Sequence, residues 1–148
     1  MDPKFKKQMA KMVDAVQPHC DEPIVAAMTC SHAGSMSSVL VSKLIDGVGG
    51  VGVISKSSNL PNPVFIAVGA KTIYAFDYKP RGFKFKIKKE VARWPRHEVS
   101  VKFQETKMMI TFVLITGSGE SYPFEVPIMM GGKELVHFFL EALGGSQA

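Results

Sequence analysis

The sequence predicts a mainly β domain of the α+β class: seven antiparallel strands forming a half-open barrel that a C-terminal helix caps, with an extra helix at the N-terminus. Three observations carry this. Between residues 64 and 126 short apolar runs alternate with closely spaced turn residues, and connections that short force antiparallel pairing. The stripe of Leu135, Val136, Phe139, Leu140 and Leu143 repeats at helical spacing and is too apolar to stand in water alone. A curled antiparallel sheet has an open end, and such a helix is the natural plug for it.

The elements follow in order. Phe5, Met9, Met12, Val13 and Val16 form a helical stripe that Pro18 stops. The apolar run 24–30 reads as the first strand. Residues 33–63 read as a long glycine-rich insertion, in which Val39, Leu40, Leu44, Ile45 and Val48 fit one face of a short helix. Strands at 64–68 and 72–77 flank the turn Gly69-Ala70-Lys71, and Lys79-Pro80-Arg81-Gly82 reads as a second turn. Phe83, Phe85 and Ile87 then alternate with Lys84, Lys86 and Lys88, the period of a half-buried strand, which Trp94-Pro95 breaks. Val99, Val101 and Phe103 alternate with polar residues, whereas 108–115 is apolar almost throughout and reads as central. Tyr122, Phe124 and Val126 share a face in the next strand. Pro123 cannot donate to a ladder, which predicts that this strand lies at an edge or beside a bulge. Gly144-Gly145 stops the last helix. The expected organisation is one domain, with residues 1–18 as a helical extension, 33–63 as an insertion and 64–144 as the main strand array and capping helix.

With 148 residues the chain can bury a core without staples, and 46% hydrophobic against 21% charged residues excludes a disordered chain. The charged start, 2–11, does not resemble a secretory signal, and four glycines, Lys43 and Asp46 break the apolar region 39–54. A soluble cytoplasmic protein, peripheral at most to a membrane, is the expectation. The net charge of +5 is local: residues 79–96 hold eight of the 18 basic side chains and one of the 13 acidic ones. A concentrated patch points to an anionic partner more directly than a high isoelectric point does.

The order of seven antiparallel strands and a closing helix resembles the pleckstrin-homology (PH) superfold, and the second half is similar to the bacterial PH-like domains. The residues that carry the likeness are the hairpin 64–77 leading to Ile73-Tyr74-Ala75-Phe76, the segment Arg93-Trp94-Pro95-Arg96, and 117–126 leading into 135–143. The resemblance implies a scaffold that binds lipid headgroups, peptides or proteins and is rarely an enzyme. It does not carry over a phosphoinositide site. The basic loop such sites use, between the first two strands, is matched only by Lys43 and Lys56. The N-terminal helix and the glycine-rich insertion are departures from a minimal PH domain.

Other motifs fall short of their chemistry. Gly47-x-Gly49-x-x-Gly52 lacks the helix that would meet a pyrophosphate, and no acidic residue lies about twenty positions on. His19, Cys20, Cys30 and His32 are metal-ligand types at a spacing no standard zinc site uses. No catalytic constellation is placed by the sequence, so the expectation is a non-enzymatic binding or adaptor module without cofactor or metal. Its candidate anionic-partner site is Arg81, Lys84, Lys86, Lys88, Arg93 and Arg96, with Val39, Leu40, Leu44 and Ile45 of the insertion as a hydrophobic contact. The expected partner is a protein or an anionic lipid surface, and the 39–54 insertion offers a homo-oligomer contact. Nucleic acid is the runner-up, disfavoured because the aromatics that would stack on bases alternate inward. A small-ligand carrier is a third reading.

Overall fold

Small residues at the centre of the first strands explain how this sheet is covered on both faces. The computed structural model describes residues 3–33, 54–55, 60–82, 84–128 and 132–147. Helix α1 (Pro3–Val16) leads through a 3-10 turn (Gln17–His19) into β1 (Ile24–His32). After β2 (Ile54–Ser55) come β3 (Val64–Gly69), β4 (Thr72–Arg81) and β5 (Lys84–Pro95), then a 3-10 turn (Arg96–Glu98). β6 (Ser100–Glu105), β7 (Met109–Ile115) and β8 (Glu120–Pro127) follow, then helix α2 (Lys133–Ala142) and the short β9 (Ser146–Gln147).

The strand order is β5-β4-β3-β1-β8-β7-β6-β9, with β2 beside β8. Apart from the two-residue β2 and β9, seven strands form two antiparallel meanders joined where β1 meets β8. This is the PH-like arrangement, with a helix at each end of the chain. Phe139 of α2 packs edge-on against Phe112 of β7, so α2 plugs the barrel as its apolar stripe predicts.

Register shows which face each residue takes. Thr29, Phe65 and Phe76 are successive cross-strand partners, and the turn after α1 lies over this face, with His19 against Phe76. Ala27 and Ala67 on the same face leave room for α1, whose Met9 sulfur accepts the Ala27 N–H at 3.4 Å. The opposite face, with Ile66, Ile73 and Trp94, meets the second meander through Trp94 and Tyr122, 5.1 Å apart. β3 is therefore buried along its whole length, which is why it reads as an apolar run rather than an alternation.

Two sequence expectations need correction. Lys79-Pro80-Arg81-Gly82 is not a turn as a whole: β4 runs through Arg81, and β5 begins at Lys84. Trp94-Pro95 does end the lysine strand, which runs to Pro95 before the 3-10 turn. β8 is interior rather than at an edge. The Pro123 carbonyl accepts the Ala33 N–H, so its missing donor points towards β1 and spares the β7 ladder. A Cβ at Gly69 would come within 1.9 Å of the Glu22 carboxylate and displace it. That carboxylate accepts the Lys71 and Thr72 N–H groups at 3.0 and 2.9 Å and so caps the β3–β4 turn.

Candidate functional site

The predicted basic residues lie on one long hairpin, but they divide into two groups. β3 pairs with β4 only as far as Phe76, opposite Phe65. Beyond that point the strand partners of β4 among the described residues are all on β5, and the pair projects as a two-stranded ribbon. Register shifts between Ala75 and Phe76 and between Phe76 and Tyr78 mark bulges at its base, which twist and re-aim a ribbon.

In the ribbon Tyr78 pairs with Ile87 and Pro80 with Phe85, all on one face. Phe65, Tyr78 and Phe85 form a triangle of edge-on rings 5.5–6.1 Å apart, which anchors that face to the body. The other face follows by alternation. Lys79 lies directly opposite Lys86, and Arg81 directly opposite Lys84. Lys88 continues the same row. All five side chains are exposed, and none forms an ion pair among the described residues. Like charges directly across a strand pair repel, so this face is held at a cost.

Arg93 and Arg96 do other work. Arg93 donates to both oxygens of Glu90 at 2.7 and 2.9 Å, approaches Asp21 at 3.5 Å and stacks 5.0 Å over the Tyr74 ring. The paired carboxylate raises its already high pKa further. Tyr74 donates its hydroxyl to Asp21, and this bond holds the Asp21 carboxyl below the usual range. Arg96 donates to the carbonyls of Gly69 and Ala142, tying the β3–β4 turn to the end of α2. The structure thus brings Arg81, Lys84, Lys86 and Lys88 together, adds Lys79, and draws Arg93 and Arg96 into structural bonding. The sequence reading missed Lys79 because it placed a turn there. The signal was present, since residues 79 and 81 mirror 86 and 84 about a two-residue connection.

Val39, Leu40, Leu44, Ile45 and the glycine string 47–52 lie outside the described residues. The four metal-ligand types have separate environments. His19 packs on Phe76 and His32 on Phe124, both at 6.1 Å, while the Cys20 thiol donates to the Val16 carbonyl. Burial pushes the Cys20 thiol up to about 11 and Cys30 higher still. Among the described residues no three His, Cys, Asp or Glu side chains converge on a metal position. Among them, too, no helix is long and apolar enough to cross a membrane.

No family model and no curated protein matches the chain. A solved structure of Vav1 inhibited by an allosteric inhibitor is similar over 95% of this chain at 11% identity, with a TM-score of 0.49. The match covers 33% of that chain, so the present one spans about a third of its length. The PH-like fold stands on strand order and register.

Proposed function

We propose that this chain is a non-enzymatic PH-like binding module, of the kind found in the bacterial PH-like domains, that docks on an anionic membrane surface through the tip of its β4–β5 ribbon. The carrying observation is the two pairs of opposed cations, Lys79 with Lys86 and Arg81 with Lys84, extended by Lys88. An anionic surface relieves their repulsion, and each cation near it adds about 1 kcal/mol. Four of the five are lysines, which act as point charges rather than planar forks and suit a diffuse surface better than one bidentate ligand.

Two features support binding over catalysis and over nucleic acid. Burial raises Cys20 to about 11 and Tyr74 and Tyr122 to about 12, against the direction that activates a nucleophile. The ribbon's Tyr78 and Phe85 are turned onto Phe65 rather than outward where bases would stack. Co-sedimentation with vesicles tests the reading. Retention on vesicles rich in phosphatidylserine, weakened by physiological salt and absent on neutral vesicles, is expected. No retention at low salt would end it, and retention by an acidic protein instead would move the site to a protein partner.

A further inference from the structure

Among the described residues three large hydrophobic side chains stand exposed, and two of them share one groove. Val25 is 48% exposed and Phe138 39%, and both line a furrow that α1, α2 and the start of β1 form together. Local structure holds each of them outward. The β1–β3 register slips between Ile24 and Ala26, so Val25 sits in a bulge and turns away from the core that takes its two neighbours. Phe138 lies off the stripe by which Leu135, Val136, Phe139 and Leu140 reach the core. Ala10 and Val13 of α1 add to the apolar lining. Apolar side chains gathered in one groove, rather than scattered singly, are the mark of an interaction surface.

Charge says what covers it. Lys6 and Asp14 line the same groove, with Ala10 midway between them on α1. Eight positions of helix separate the two charges by ~12 Å, a little over two turns, so both stand on the groove side. Among the described residues neither side chain has a hydrogen-bond or ion-pair partner. A partner surface of one sign would satisfy one of these charges and repel the other. A second copy crossing antiparallel at Ala10 satisfies both. The two-fold axis then puts Lys6 opposite Asp14 of the second copy, and Asp14 opposite its Lys6. The small Ala10 side chain lets the helices approach closely where they cross.

We propose that this groove is a two-fold interface between copies of the chain, with α1 antiparallel to α1, Val25 and Phe138 covered, and the Lys6–Asp14 pairs at its ends. The surface is separate from the 39–54 segment and from the cations of the ribbon.

Sedimentation velocity of the full chain, at roughly 1–300 µM to bracket micromolar dissociation constants, is the test. The native chain should pass from monomer to dimer over that range. Phe138→Glu should stay monomeric with an unchanged circular dichroism spectrum. Lys6→Glu and Asp14→Lys should each weaken self-association by roughly fivefold or more, since each turns both pairs repulsive. Neither reversal works against the helix, whose first turn lacks an acid and whose last turn lacks a base. Mixed in equal amounts, the two single variants should associate with each other, because every opposed pair across the axis is then of unlike sign. This arm keeps the test intact if Phe138→Glu fails to fold. A native chain that is monomeric throughout would overturn the proposal and leave the groove to a different partner. Single variants that associate as the native chain does, or no association in their mixture, would overturn it as well.

Discussion

The root and the tip of one hairpin show two uses of charge. At the root, Ile73 faces Trp94 and Tyr74 faces Arg93, and the one exposed cation there, Arg93, sits against Glu90, Asp21 and the Tyr74 ring. At the tip, four cations face each other in pairs with no acid between them. The same two strands and the same bonding serve both ends. A sequence selected for stability alone would treat the tip as it treats the root. The difference separates charge that belongs to the fold from charge held ready for something outside it.

The largest effect should come from the root. Phe76 is 1% exposed and packs on Tyr74 and His19, so Phe76→Ala should cost about 3–5 kcal/mol in urea unfolding. Arg96→Met should cost about 1–3 kcal/mol, because it strips charged donors from the Gly69 and Ala142 carbonyls. Vesicle retention should survive in this variant once it is folded. A binding loss without a stability loss would return Arg96 to the docking face.

The tip should behave in the opposite way. Replacing Lys84 and Lys86 together by Glu turns two repulsive cross-strand pairs into attractive ones, each worth about 0.2–1 kcal/mol. The variant should therefore be as stable as the native chain or more so. A marked destabilisation would mean that the lysine row supports the fold.

The smallest effect is a pH dependence. Glu105 accepts hydrogen bonds from Lys133 and His137, at 2.7 and 2.6 Å, and the Lys133 bond first holds its carboxyl below the usual range. A folded-state pKa below the unfolded one gives stability that is complete above the unfolded value, about 4.3 for Glu. That stability is lost as pH falls through the folded value. Glu105→Gln should thus flatten the acid limb of the stability profile, and an unchanged limb would show that the contact contributes nothing.

Much of this was legible in the sequence, for physical reasons. The Phe-Lys alternation survives because the ribbon has one packed face and one wet face, the condition for a period of two. The terminal stripe was legible because α2 buries Leu135, Val136, Phe139 and Leu140 and little else. The extent of β5 was not, because bulges near Lys88 and Val91 insert residues that break the period before Trp94. The position of β8 was misread because Pro123 fits an interior strand when its missing donor faces a sparsely paired flank. The division of the basic residues needed register: nothing in their spacing says that Arg93 meets Glu90 while Lys86 meets Lys79.

The most direct test compares three proteins on phosphatidylserine-rich vesicles at low salt: the native chain, the Lys84→Glu/Lys86→Glu variant and Arg93→Gln. The native chain and Arg93→Gln should be retained alike, and the double variant should stay in solution while remaining folded. Retention of the folded double variant, or loss confined to Arg93→Gln, would contradict the assignment of the tip as the docking surface.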